Sequence, residues 1–163
     1  MLLQAAPLTR ETFAPFGDVI QCAGARHYPI NAGTTERYHD LANVDVAEAD
    51  GRPVISIFVA QPVQGNPVNL RLMERHPLAS QSFMPLSANR FLIVVAPATE
   101  ELQVQELQAF IVAAGQGVNY ARAVWHHPVL ALDTETHFLI VDRDGPGHNC
   151  DEIDLSLSVQ VAF

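Results

Sequence analysis

In the stretch "LRLMERHPLASQSF", residues 70–83, Glu74 and His76 stand two positions apart, and Gln81 follows five positions after the histidine. A carboxylate beside an imidazole can share a proton, act as an acid/base couple, or hold a divalent cation. Gln81 adds hydrogen-bonding capacity that does not titrate. The residues just before this group alternate. Val68, Leu70 and Leu72 share one parity, and Glu74 and His76 fall on it. Equal parity means equal face in a strand. A strand running in phase to His76 therefore turns an acid and an imidazole inward, where charged groups need partners. Either the strand ends or bulges before Glu74, at a rim, or this face opens into a polar pocket.

Two further stretches carry candidate chemistry. "AVWHHPVLAL" holds the one tryptophan, Trp125, followed by His126, His127 and Pro128. Only one of two adjacent extended histidines can face inward. Pro128 can break the register, so parity leaves the choice open, and a solvated surface turn is the plain alternative. In "TTERYHDLA", Arg37 and His39 share a parity. A guanidinium beside an imidazole suits a carboxylate ligand, because the fork grips both oxygens and never loses its charge. The competing reading is an exposed ion-pair group of Glu36, Arg37 and Asp40. No GxSxG, P-loop, GxGxxG or HExxH motif occurs. Cys22 and Cys150 form no CxxC pair and have no activating neighbour pattern. His148 and Asn149 read as part of a Gly-rich loop, "DGPGHNCD".

The elements that must position these residues are short strands. The chain has 163 residues, 48% hydrophobic and 17% charged, which suits a single domain over residues 1–163. Turn signals such as "FGD", "NAG", "ADGRP", "QGNP", "GQG" and "DGPGHN" separate short apolar runs. Strands are expected at 18–22, 36–40, 54–61, 68–76, 81–86, 91–96, 109–114, 118–122, 129–132, 136–142 and 156–162. One short helix starts at a Thr9 cap, with Glu11 in its first turn and Gly17 at its end. A second helical turn is expected around 99–106. So many short strands with so little helix make an all-β sandwich or barrel, an architecture that often holds a small ligand at its open mouth. "FLIVVA" reads as a strand buried on both faces, in a sandwich core or in a dimer sheet.

The net charge of -9 argues against nucleic acid or an anionic membrane as partner. No apolar run reaches the ~18 residues of a membrane span. The start, "MLLQAAPLTRETF", lacks a basic region and a long apolar core, so a cytoplasmic protein is expected.

The first two stretches together resemble the two cupin motifs. Glu74-x-His76-x4-Gln81 is similar to HxHx4E, with Glu for the first histidine and Gln for the glutamate. "GQGVNYARAVWHHP" resembles the second motif, with His126 nearest the ligand position. The resemblance implies a cupin-like antiparallel β-barrel or jelly roll with one or two short helices. It also implies a metal set of Glu74, His76, Gln81 and His126. More specifically, "INAGTTERYHDLA", "ERHPLASQSFMPL", "LQAFIVAAGQGVNYARAVWHHPVLAL" and "FLIVDRDGPGHNCDE" resemble the ureidoglycolate lyase family, called ureidoglycolate hydrolase in older usage. The likeness runs from "FAPFGDVI" to the last strand. It implies a homodimer that splits (S)-ureidoglycolate into glyoxylate and urea in allantoin (purine) degradation, with nickel associated with activity.

That chemistry fits the residues. Ureidoglycolate is a hemiaminal, and its cleavage needs a base on the hydroxyl, an acid for the leaving urea nitrogen, and an anion clamp. His76 or His126 serves as base, Glu74 orients or shares the proton, Gln81 binds the ureido group, and Arg37 with His39 binds the carboxylate. The alternative for the same cluster is a divalent metal. The rival functions are a ureidoglycolate amidohydrolase releasing ammonia, a metal-dependent cupin dioxygenase or sugar isomerase, and a non-catalytic cupin that binds a small acid. The substituted ligand positions argue against the amidohydrolase and the dioxygenase or isomerase.

Overall fold

The computed structural model describes residues 1–163 apart from the side chain of Leu157. Along the chain run β1 (Leu2–Gln4), β2 (Ala6–Pro7), α1 (Arg10–Phe13), β3 (Gly17–Ile20), β4 (His27–Ile30), β5 (Thr35–Tyr38), β6 (Arg52–Ala60) and β7 (Val68–Arg75). They are followed by β8 (Gln81–Pro85), β9 (Phe91–Ala96), β10 (Gln108–Val112), β11 (Gly117–Tyr120), β12 (Trp125–His126), β13 (Leu130–Ala131), β14 (Thr136–Asp144) and β15 (Asp151–Ala162). An eight-stranded sheet runs β1-β15-β7-β12-β9-β10-β2, with β13 also on β9. A five-stranded sheet runs β3-β11-β8-β14-β6, and β4 and β5 form a separate hairpin. The result is a largely antiparallel β-barrel made of two packed sheets.

The two main sheets share one core. Phe83, Val118, Tyr120, Phe138 and Ile140 from the smaller sheet pack with Phe91, Ile93, Val95, Phe110 and Val112 from the larger. Phe13 and Phe16 join them from α1 and the turn after it. A second cluster covers the other face of the larger sheet, with Met73, Leu92, Val94, Ala96, Trp125, Val159 and Val161. Strand β9 supplies alternate residues to both clusters, and all six are at most 1% exposed. The "FLIVVA" run is thus buried within a single chain.

Local signals explain much of this. Thr9 caps α1 in a reciprocal pair with Thr12, its hydroxyl accepting from the Thr12 amide. The helix closes after one turn, at Phe13, and not at Gly17. Gly17 instead opens β3 at φ +140°, where an added Cβ would sit 1.9 Å from the Asn119 carbonyl oxygen. Only glycine lets β3 approach β11 this closely. The expected helical turn at 99–106 is a 3-10 turn over Val104–Glu106.

Each expected strand is present within a few residues, but four strands carry no local signal. β1 and β2 are edge additions that pair in parallel with the distant β15 and β10. β4 is the partner of β5 in the hairpin, and β12 is only two residues long. β15 starts at Asp151, five residues before the expected position, because its charged "DEID" segment pairs with the polar end of β7.

Candidate active site

The sheet register brings the chemistry to one end of the barrel interior. His126 in β12 lies opposite Glu74 in β7 on one side and Val95 in β9 on the other. Directly opposed residues of an antiparallel pair share a face. Val95 belongs to the inner core, so Glu74 and His126 also point inward. Trp125, opposite Ala96, points to the outer cluster instead. Its indole N–H donates to the Thr99 carbonyl at 3.0 Å, and the Arg75 guanidinium lies 4.8 Å from its ring. On the facing sheet Tyr120 is opposite Gln81, and Ile140 is opposite Phe83. That ladder ends with Val141 opposite Ser82, and one step further sets Asp142 beside Gln81.

The expected in-phase run from Val68 to His76 is corrected by the structure. Val68, Leu70 and Met73 all pack in the outer cluster. The alternation therefore shifts by one between Leu70 and Met73, across from an irregularity in β15 between Asp154 and Val159. Glu74 reaches the interior because the phase breaks. β7 ends at Arg75, and His76 begins the following turn.

Both histidines of the cluster are held by the same device. His76 Nδ1 is 2.7 Å from the Asn149 carbonyl, and His126 Nδ1 is 2.9 Å from the Val124 carbonyl. A carbonyl only accepts, so each Nδ1 carries a proton, which leaves Nε2 as the nitrogen that can lose or gain one. Both Nε2 atoms are buried and lack a hydrogen-bond partner. His126 Nε2 is 3.3 Å from Glu74 Oε1, close enough for an ion pair but not aligned as a hydrogen bond. Two acceptors facing each other at that distance call for a positive charge between them, either a proton or a metal ion. The His76 and His126 rings are 5.1 Å apart, and Tyr120 stacks on His126 at 4.3 Å and 15°.

The electrostatics follow from burial and these contacts. Burial alone pushes the Glu74 carboxyl up, but the His126 contact and the charges of His126, His76 and His127 outweigh it and leave it below its ordinary value. Burial, then the neighbouring His126 charge, holds His76 below its ordinary value, against the Asn149 carbonyl, Glu74 and Gln81. His76 is therefore a neutral lone-pair donor at pH 7. Burial and then the Glu74 charge push the Tyr120 hydroxyl far up, so it stays protonated. His127 is also buried, with Nδ1 2.7 Å from the Pro128 carbonyl, and burial lowers its pKa.

The donor set suits a divalent metal. Ligand atoms of Glu74, His76 and His126 lie within 4.8 Å of one another. Two imidazoles with fixed lone pairs and one carboxylate match nickel, manganese, iron or zinc. Glu74 also belongs to a second such group with Cys150 and Glu152.

The cluster opens to a cleft of about 380 Å³ lined by His76, Gln81, Asp142, Arg143, Asn149 and Cys150, among others. The sequence-predicted Glu74, His76, His126 and Gln81 thus converge. Arg37 and His39 do not line this cleft. Arg37 is exposed on β5, and Glu36 pairs with His27 rather than with Arg37. His39 lines a separate cavity of about 220 Å³ with Arg10 and Arg26. Sequence reasoning passed over Tyr120, Asp142 and Arg143. Asp142 carried a usable signal, since Phe138 and Ile140 share its parity just as an apolar run precedes Glu74. Arg143 gives its Nε and Nη2 to the Glu48, Ala49 and Pro146 carbonyls, and its Nη1 has no protein partner among the described residues.

Comparison with known proteins agrees with this geometry. The family model described as ureidoglycolate lyase matches residues 1–162. A ureidoglycolate lyase of Burkholderia cepacia is 56% identical over 163 residues, covering 99% of this chain and 91% of that protein. One from Burkholderia mallei (strain NCTC 10229) is 49% identical over 157 residues, covering 96% and 91%. One from Pseudomonas aeruginosa (strain LESB58) is 51% identical over 150 residues, covering 92% and 88%. A solved structure of RmlC from Streptococcus suis in complex with dTDP-D-xylose overlaps 60% of this chain and 45% of its own. Its 10% identity and TM-score of 0.40 are too partial a likeness to inform the site. Whole-length agreement in sequence, on a barrel whose interior ends in a Glu-His-His cluster, places this chain in the ureidoglycolate lyase family.

Proposed function

We propose that this chain cleaves (S)-ureidoglycolate to glyoxylate and urea in the cytoplasm, as a step of allantoin (purine) degradation. The observation that carries the reading is the Glu74, His76 and His126 cluster, with two buried imidazole Nε2 atoms beside one carboxylate and His76 lining a small cleft. His76 Nε2 takes the proton of the substrate hydroxyl. The aldehyde C=O forms as the C–N bond breaks and its electron pair stays on nitrogen. The Glu74–His126 couple returns a proton to that nitrogen, so urea leaves intact, and the proton on His76 then restores the couple. Gln81, whose Oε1 is buried and unpartnered, accepts a hydrogen bond from the ureido group. Arg143 at the cleft wall attracts the carboxylate, a task assigned to it in preference to Arg37 and His39. A divalent metal such as nickel, held by Glu74, His76 and His126 with Gln81 as a further oxygen donor, would polarise the substrate hydroxyl or carboxylate as a Lewis acid.

Product analysis with racemic ureidoglycolate, with and without chelator, tests the reading. Glyoxylate with an equal amount of urea is the expected result, and loss of turnover on chelation assigns the cluster to a metal. Ammonia without urea would make the protein an amidohydrolase. No turnover with any added metal would make it a small-acid binder.

The second part of the proposal is a homodimer formed through β6. This nine-residue strand is an edge of the smaller sheet and exposes Ile55, Ile57 and Val59 on one parity, at 72%, 51% and 52%. An exposed apolar edge of this length is a template for pairing, and a two-fold axis lets two copies of it satisfy each other.

A further inference from the structure

Among the described residues, four buried side-chain atoms have no hydrogen-bond partner: His76 Nε2, His126 Nε2, Gln81 Oε1 and Asp142 Oδ1. Buried polar groups are nearly always paired, so a group of orphans at one place marks a missing partner. All four are acceptors, given the tautomers that the Asn149 and Val124 carbonyls fix. The two imidazole nitrogens belong with Glu74 on the larger sheet. The other two belong to the smaller sheet, where the β8–β14 ladder carried one step past Val141–Ser82 sets Asp142 beside Gln81. Both line the same cleft. The site therefore has two unlike halves. One is a carboxylate with two lone-pair nitrogens, suited to a proton or a metal. The other is a pair of oxygens, suited to a ligand group rich in N–H donors.

A ureido group is such a ligand, with a terminal NH2 and an internal N–H. Resting on the proposed lyase reading, we infer that Asp142 is the residue that determines specificity for the ureido end of the substrate. Its Oδ1 accepts from the terminal NH2, while Gln81 Oε1 accepts from a second N–H. Asp142 touches neither the breaking bond nor the transferred protons. Its effect is discrimination, because a substrate without the terminal NH2 leaves the buried Asp142 Oδ1 unpaired. Sites built to hydrogen-bond a substrate group reject analogues lacking it far more strongly than apolar pockets reject a missing methylene.

The test compares ureidoglycolate with 2-acetamido-2-hydroxyacetate, which keeps the hemiaminal and the carboxylate but carries methyl where the urea carries NH2. The intact protein is expected to prefer ureidoglycolate by at least about 100-fold in kcat/KM. Asp142→Leu, with melting temperature and circular dichroism as folding controls, is expected to reduce that preference to below about tenfold, mainly through a raised KM for ureidoglycolate. An unaltered protein that cleaves both compounds within about tenfold overturns the inference without any variant, and leaves the lyase reading standing. A folded Asp142→Leu protein that keeps the full preference also overturns it. An unaltered protein that cleaves neither compound overturns the lyase reading and this inference with it.

Discussion

His76 and His126 show how little a residue needs in order to become reactive. Each ring is fixed by one backbone carbonyl, at 2.7 Å and 2.9 Å, and that single contact decides which nitrogen faces the site. His76 lines the cleft, whereas His126 is 1% exposed behind it. His76→Ala is accordingly expected to lower kcat by about 10²–10⁴, the usual worth of an acid/base group. Circular dichroism should show the barrel intact, since His76 lies beyond the end of β7 and outside both apolar core clusters. A folded variant with near-normal turnover would remove His76 from the mechanism. The carboxylate clamp separates two arginines in the same way. Arg143→Lys keeps the charge but loses the fork that holds three carbonyls, so KM is expected to rise about tenfold or more. Arg37→Ala, on its exposed hairpin, is expected to leave kcat/KM within about twofold. Steady-state kinetics on the two variants would reverse the assignment if the effects were exchanged.

At the scale of elements, the end of β7 is the part that carries the site, and it is held from outside the barrel. Arg75 stacks on Trp125, pairs with Asp151 at 2.7 Å and donates to the Thr99 carbonyl at 2.6 Å. These contacts fix the end of β7 next to Glu74 while the carboxylate itself points the other way. A second clasp anchors the start of β9, the strand that packs against both clusters. Asp133 accepts from the Arg90 amide and, through both oxygens, from its guanidinium. The guanidinium contact, then the amide, holds the Asp133 carboxyl below its ordinary value of 3.8. A depressed folded-state pKa means that the unfolded chain binds the proton more readily. The stabilisation is therefore fully present above about pH 4 and is lost as pH falls through the lower folded-state value. Asp133→Asn is expected to lower the melting temperature at pH 7, with the difference from the parent narrowing as pH falls below 3.8. A melting difference that stayed constant from pH 7 to pH 3 would contradict the ion-pair account.

The whole molecule presents one surface that the barrel does not need for its own core. Ile55, Ile57 and Val59 of β6 stand on the outer parity of an edge strand. Phe58, by contrast, turns towards Phe83 at 5.9 Å. An exposed charge in the middle of that row should leave folding intact while disfavouring pairing with a second copy. Ile57→Lys is expected to convert a dimer to a monomer in light scattering after size exclusion, with little loss of thermal stability at high protein concentration. A parent protein that is already monomeric, or a variant that stays dimeric, would exclude β6 as the contact.

The sequence by itself determined the strand-rich fold, most strand positions and the residue types of the site. Alternation, turn residues and the Glu74–His76–Gln81 spacing act over a few residues, and that range is enough for them. It could not determine the phase of the buried face, because the shift between Leu70 and Met73 depends on an irregularity in β15, more than eighty positions away. It could not say which of His126 and His127 faces Glu74, because β12 is two residues long and takes its direction from β7 and β9. Arg37 and His39 share a parity, but β5 ends at Tyr38, and parity within a hairpin does not say where that hairpin sits. Asp142 gave the same local signal as Glu74, but its meaning came only from the strand order that sets β14 beside β8. Short-range periodicity fixes what a segment can be. Which faces meet is decided by pairings between distant segments, and a binding site in a barrel is made of such meetings.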